Sequence, residues 1–170
     1  MIQEEFKFYK PCKFLQPYVR YYWVFSSNQM LKTYTFPIGC SQIIFHKRTP
    51  LYVPELDTTQ HKLTISGQVN FSSHLQADDD IEMIVVVFYP HTINLFLDTP
   101  ASSFYNKEVS GYDIEDKHLA ELAKQVFECE DNNHCVNLIE RWLLSRLSIR
   151  PHETTYRVRR MTAAIEQLCA

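Results

Sequence analysis

Histidine side chains are the first candidates for chemistry, because imidazole nitrogens bind metal ions and exchange protons near neutral pH. The seven histidines are spread along the chain, and no two of them form an H-x-H pair. A metal-using enzyme built on strands needs such a pair with a carboxylate and a third histidine, so that the ligands converge on one ion. We therefore expect no metal site. Only His46 and His91 border segments that resemble strands.

Other catalytic patterns are also missing from the sequence. Neither G-x-x-x-x-G-K nor G-x-S-x-G occurs, and three glycines are too few for a phosphate-binding loop. The neighbouring acids Asp78, Asp79 and Asp80 lie in a polar turn, where solvated carboxylates are typical. Five cysteines show no C-x-x-C spacing, which predicts reduced thiols. We expect a protein that is not an enzyme and that has no cofactor.

Aromatic side chains are the remaining candidates, since they make up 14% of the residues. Strand alternation in Arg20–Phe25 places Tyr21, Trp23 and Phe25 on one face. Such a face can fill a core, or it can line a cavity that stacks against a small molecule, and both interpretations stay open. The candidate ligand-binding residues are Trp23, Phe36, His46 and Phe88.

Short strands followed by helices must position these residues. Runs of β-branched and aromatic residues predict strands at Arg20–Phe25, Gln42–His46, Leu63–Ser66 and Met83–Tyr89. Proline, glycine and aspartate between these runs predict turns. Because no helical pattern separates the strands, an antiparallel sandwich or barrel is expected rather than a doubly wound sheet.

Helical spacing begins after about Gly111. Apolar residues recur at i, i+3, i+4 and i+7 in Leu119–Phe127, and a second apolar face runs over Val136–Leu147. A third pattern, over Val158–Leu168, meets no helix stop signal before Ala170. We expect from this that the natural chain continues.

Composition and charge limit the possible partners. The mix of 45% hydrophobic and 22% charged residues is typical of one globular domain. Residues 1–139 carry a net charge of −6 and residues 140–170 carry +3, so the main body should repel nucleic-acid phosphates. No apolar run approaches the roughly 20 residues of a membrane-spanning helix, and no signal peptide is visible. We expect a cytoplasmic protein without a membrane partner.

Several segments, in this order, carry a resemblance to a known family. They are FLQPYVRYYW at Phe14–Trp23, FPIGCSQIIFH at Phe36–His46, Gly67, VVFYP at Val86–Pro90, FLDTPASSFYN at Phe96–Asn106 and IERWLLSRL at Ile139–Leu147. Together they resemble the N-terminal sensory domain of AraC-type (AraC/XylS) bacterial transcription regulators, in a branch known as a domain of unknown function. The resemblance covers about residues 10–150.

This resemblance implies an α+β fold in three parts. Residues 1–112 would form a cupin-like antiparallel β-barrel or sandwich that binds a small-molecule effector. Residues 113–150 would form a helical pair that makes a homodimer, and residues 151–170 would begin a linker helix to a helix-turn-helix DNA-binding domain outside this sequence. The expected function is effector sensing and dimerisation, with DNA contacted only through that other domain.

Two further expectations accompany this interpretation. The helical faces carry more apolar residues than a short helix pair over a barrel needs, which predicts a dimer interface at Leu122, Val126, Ile139 and Trp142. The alternative function is a small cupin-type metal-dependent enzyme, which near-stoichiometric bound metal would reveal.

Overall fold

The computed structural model describes residues 4–170 and consists of two antiparallel sheets and three helices. The predicted α+β class is confirmed, and the sheets form a two-layer arrangement that is not closed into a barrel. The strands are β1 (Glu4–Tyr9), β2 (Val19–Ser27), β3 (Leu31–Thr35), β4 (Gln42–His46), β5 (Tyr52–Val53), β6 (Thr58–Thr59), β7 (Leu63–Ser66), β8 (Ser73–Ala77), β9 (Ile81–Phe88) and β10 (Glu108–Ser110). The helices are α1 (Lys117–Glu128), α2 (Asn132–Ser148) and α3 (His152–Cys169).

The larger sheet has six strands in the order β1-β2-β9-β4-β7-β10, and the smaller has the order β3-β8-β5-β6. All four predicted strands belong to the larger sheet, as β2, β4, β7 and β9. At the centre of this sheet, Val85 of β9 lies opposite Trp23 of β2 on one side and Ile44 of β4 on the other. Strand β9 is buried along most of its length, which explains why its sequence is an almost continuous apolar run. The larger sheet therefore lies between two layers.

One face of the larger sheet packs against the helices. Tyr22, Val86 and Phe88 point to this side and join a continuous apolar core with Leu119 of α1 and Leu143 of α2. Helix α1 is amphipathic and is capped by Asp116, whose carboxylate accepts hydrogen bonds from the backbone N–H groups of the first turn. Burial of this apolar stripe holds the helical pair against the sheet.

The opposite face packs against the smaller sheet. Alternation along the strands sends Ile44, Val85 and Val87 to this side, where they meet Leu51 and Ala77 in a second, smaller apolar cluster. The two clusters are separated by the thickness of the larger sheet. Each central strand thus contributes side chains to two different environments.

Helix α3 lies along the body and is exposed over most of its surface, with Thr162 as its one buried residue. The Thr162 hydroxyl donates a hydrogen bond to the backbone carbonyl of Pro17 at 2.6 Å, and Tyr89 donates one to the Glu166 carboxylate at 2.8 Å. These polar contacts place α3 beside the end of β9. Across residues 4–170, none of the helices has the length and apolar character needed to span a membrane.

Candidate functional site

A cavity of about 310 Å³ lies between the two sheets. Trp23, Ile44 and Val85 of the larger sheet line one side, and Leu75 of β8 lines the other. Phe36 also lines the cavity but is 69% exposed, so the cavity opens to solvent beside it. The volume falls at the lower end of the range of about 300 to 1,000 Å³ that is typical of small-molecule sites.

A row of polar side chains forms one end of this mainly apolar cavity. In the strand register Gln42 of β4 lies opposite Ser66 of β7, which lies opposite Glu108 of β10. All three line the cavity, together with Gln60 from the segment between β6 and β7. The Ser66 hydroxyl donates a hydrogen bond to Oε1 of Glu108 at 3.0 Å. The site therefore has apolar walls and one hydrogen-bonding end.

Among residues 4–170, Glu108 is the only acidic side chain that lines this cavity. Burial raises the pKa of Glu108 to about 7, although the Ser66 hydroxyl and the nearby Gln60 amide oppose the shift. Its second carboxylate oxygen, Oε2, is buried and has no hydrogen-bond partner among residues 4–170. Near neutral pH both protonation states of Glu108 are populated, so the polar end can accept hydrogen bonds or donate one.

His46 contacts Gln60 at this polar end without lining the cavity itself. Its Nε2 lies 2.8 Å from Oε1 of Gln60, and because that amide oxygen only accepts hydrogen bonds, Nε2 carries the proton. Burial lowers the pKa of His46 to about 4, so the ring is neutral at physiological pH. This contact orients the Gln60 amide, which opposes the rise in the pKa of Glu108. His46 is thus a positioning residue for the cavity.

The four residues predicted to bind a ligand have different positions. Trp23 and Phe36 line the cavity, whereas His46 lies behind Gln60 and does not. Phe88 faces the helices, where it is fully buried and packs against Phe96 with 5.2 Å between ring centroids. The structure does not bring Phe88 into the cavity, because strand alternation gives the cavity side of β9 to Val85 and Val87 instead.

Sequence reasoning did not identify the polar end of the cavity. One signal was available for Gln42. Strand alternation puts it on the same face as Ile44 and His46, and His46 was already a candidate ligand-binding residue. No local signal marks Glu108, which belongs to a three-residue strand that exists only through its pairing with β7. Glu108 contacts Ser66 in the fold although the two residues are 42 positions apart in the sequence.

The residues predicted for dimerisation are buried within the monomer. Val126 and Ile139 are part of the core between the helices and the larger sheet. Leu122 and Trp142 are also largely buried, but they border a surface groove along α1 and α2 that extends to Ile149. A dimer contact at this place would therefore involve the groove and its exposed edge, while Val126 and Ile139 support it from within.

The possible metal ligands are spread over the described chain rather than gathered at one site. No group of three or more His, Cys, Asp and Glu side chains within residues 4–170 is arranged to hold a metal ion. His46 has Gln60 as its polar neighbour, and His74 forms a hydrogen bond with the exposed Glu55. Neither histidine belongs to a cluster of metal ligands.

The fold and the cavity define an α+β domain with two stacked antiparallel sheets and a polar-ended pocket between them. The chain belongs to the family described as Domain of unknown function (DUF6597), which it matches over residues 7–110. Every residue that lines the cavity lies within this matched region, and the three helices follow it. No curated protein and no solved structure matches the chain.

Proposed function

We propose that this chain is the effector-sensing and dimerisation domain of an AraC-type bacterial transcription regulator, whose DNA-binding domain lies outside these 170 residues. The observation that supports sensing is the cavity between the sheets. Its apolar walls can hold the body of a small molecule, and the row of Gln42, Ser66 and Glu108 can select its polar group. The sequence resemblance supplies the regulator class.

Contacts between the cavity and α3 support a route for signalling. Ile38 and Cys40, in the segment between β3 and β4, line the cavity and also border a cleft against Ile165 and Glu166 of α3. A ligand that shifts this segment would change the contacts that hold α3 against the body of the domain. Because α3 precedes the proposed DNA-binding domain, such a shift could change the orientation of that domain.

Polar contacts strengthen the same connection. Arg20 donates a hydrogen bond from Nη1 to the Cys40 sulfur at 3.3 Å, and its guanidinium lies 6.0 Å from the centre of the Tyr89 ring. Tyr89 in turn donates its hydroxyl hydrogen bond to Glu166. Cys40, Arg20, Tyr89 and Glu166 thus form a continuous set of contacts from the cavity edge to α3. This set is a physical candidate for coupling, which mutation can test.

The dimer is assigned to the groove on α1 and α2. Leu122, Leu138 and Trp142 line it, and the Trp142 indole N–H is buried without a hydrogen-bond partner in the described part of the chain. Light scattering should show a dimer for the natural sequence. Ile149→Glu, at the exposed edge of the groove, should shift it towards monomer, because the dimer would bury the new carboxylate.

A matched control separates this effect from a general change of charge. Leu168→Glu introduces the same charge at an exposed position near the end of α3 and should leave the dimer intact. A monomeric natural protein at high micromolar concentration, or equal effects of the two variants, would contradict the assignment of the groove to dimerisation.

DNA binding tests the regulator class itself. In gel-shift assays the product of the whole reading frame should bind duplex DNA with a steep salt dependence, because phosphate contacts supply most of the affinity. The 170-residue chain alone should not bind, since its main body carries a charge of −6 over residues 1–139. Tight, sequence-selective binding by this chain, or a reading frame without a helix-turn-helix domain, would overturn the proposal.

A further inference from the structure

The unpaired carboxylate of Glu108 indicates which chemical group the cavity would accept. Its Oε1 receives the Ser66 hydroxyl, but the buried Oε2 has no partner among the described residues. No lysine or arginine of the described chain lines the cavity. A carboxylate removed from water without a cation is unfavourable, so a cationic ligand would gain from pairing with it.

The rest of the cavity suits an apolar body attached to that cation. Trp23, Phe36 and Phe71 provide aromatic surface on the walls, and Ile44 and Leu75 provide aliphatic surface. Aromatic faces also attract organic cations, whereas a carboxylate on the ligand would be repelled by Glu108. A small molecule with one ammonium group and an apolar body fits both parts.

We propose that the cavity binds an organic primary amine, with its ammonium group on Glu108 Oε2 and its apolar body between Trp23 and Leu75. This inference rests on the sensory role proposed above and names the class of effector. An ammonium group has three hydrogens to donate, and the Gln42 side-chain amide, on the other side of Ser66 in the same polar row, offers a further acceptor. An uncharged alcohol could occupy the same position, but it would leave the negative charge of the Glu108 carboxylate uncompensated.

Affinity for such an amine should depend on pH through Glu108. Ser66 and Gln60 contact it, and the titratable group beyond Gln60 is His46, which stays neutral because its pKa is about 4. The amine itself stays protonated below about pH 9, as an alkylammonium does. Since the pKa of Glu108 is about 7, its ionised fraction rises roughly tenfold from pH 6 to pH 8, and amine affinity should rise by about the same factor.

Isothermal titration calorimetry with three probes of one carbon skeleton tests the proposal. They are phenethylamine, 2-phenylethanol and phenylacetate, each measured at pH 6 and pH 8. At pH 8 phenethylamine should bind about tenfold or more tightly than 2-phenylethanol, and phenylacetate should bind least. Glu108→Gln should remove the preference for the amine, because the replacement keeps the shape and loses the charge. Far-ultraviolet circular dichroism should confirm that the variant is folded.

Glu130→Gln is the matched control, since it removes one exposed carboxylate between α1 and α2, away from the cavity, and should leave phenethylamine binding unchanged. An amine that binds no better than the alcohol, an amine that does not bind at all, or a preference that survives Glu108→Gln would overturn the proposal. Binding of 2-phenylethanol alone, with a change in Trp23 emission in a Trp142→Phe background, would remove the amine but retain the sensory cavity. Absence of any probe binding, together with a cavity closed to small apolar probes, would count against the sensory role as well.

Discussion

The two faces of the six-stranded sheet use the same strands for different purposes. On the helix side, Val86 and Phe88 join a continuous apolar core that includes both α1 and α2. On the other side, Val85 and Val87 belong to a smaller cluster, and polar Gln42 and Ser66 interrupt the apolar surface. One face is filled and supplies stability, whereas the other retains space that a ligand can enter. Alternate residues of one strand can therefore differ greatly in how much they contribute to folding.

Truncating a side chain on each face should produce the largest contrast. Phe88→Ala removes a fully buried ring from the helix-side core and should lower the free energy of unfolding by about 3 to 5 kcal/mol. Leu75→Ala, at the half-buried cavity wall, should lower it by only about 1 kcal/mol, because less surface is buried there. Urea unfolding followed by circular dichroism measures both. Equal losses would mean that the two faces are packed alike.

Replacing Glu108 should stabilise the protein at high pH. Its pKa is about 7 in the folded state against 4.5 for an ordinary glutamate, so its ionisation destabilises the fold as pH rises through this interval. The free energy of unfolding of Glu108→Gln minus that of the natural protein should be near zero at pH 4. By pH 8 it should increase to at most about 3 kcal/mol.

Unfolding curves in urea at pH 4, 6 and 8 provide this comparison. The control is Glu130→Gln, which removes an exposed carboxylate and should change the free energy of unfolding by no more than about 0.5 kcal/mol at each pH. A Glu108→Gln variant that is less stable at pH 8 than at pH 4, relative to the natural protein, would show that the carboxylate has a partner that stabilises its charge.

A smaller effect is expected at Gly39, in the segment that lines the cavity mouth. Its φ angle is +66°, a left-handed conformation, and a Cβ atom there would meet no other atom within 4 Å. Gly39→Ala should therefore lower the free energy of unfolding by about 1 kcal/mol through backbone strain alone. Gly39→Asn should lower it less, because asparagine tolerates this conformation better. Thermal unfolding would detect the difference, and identical effects of the two variants would argue against the left-handed backbone.

Much of the larger sheet was predictable because the local sequence of its central strands is typical of β-structure. The runs in β2, β4, β7 and β9 are rich in β-branched and aromatic residues, as strands with a buried face require. By contrast β3 is mostly exposed and polar, and it is held in place by its pairing with β8. Such a strand depends on a distant partner, which sequence patterns do not reveal.

The cavity was predictable only in part, for a related reason. Aromatic character made Trp23, Phe36 and Phe88 candidates, and the structure places the first two in the cavity lining and Phe88 on the helix side. In a strand that is buried on both sides, period-two alternation separates two faces without saying which one meets the helices. Glu108 was missed because its role follows from its place beside Ser66, not from its neighbours along the chain.

Xenon can test the central claim, that among the described residues the face towards the smaller sheet holds an accessible cavity and the helix-side face is filled. Xenon enters apolar space without specific recognition, and methyl resonances in NMR spectra report where it binds. Val85 and Val86 are adjacent in β9, fully buried, and on opposite faces. Xenon pressure should shift the methyl signals of Val85, Ile44 and Leu75 and leave those of Val86 and Ile84 unchanged. Unshifted signals on the Val85 side, or equal shifts on both faces, would contradict the claim.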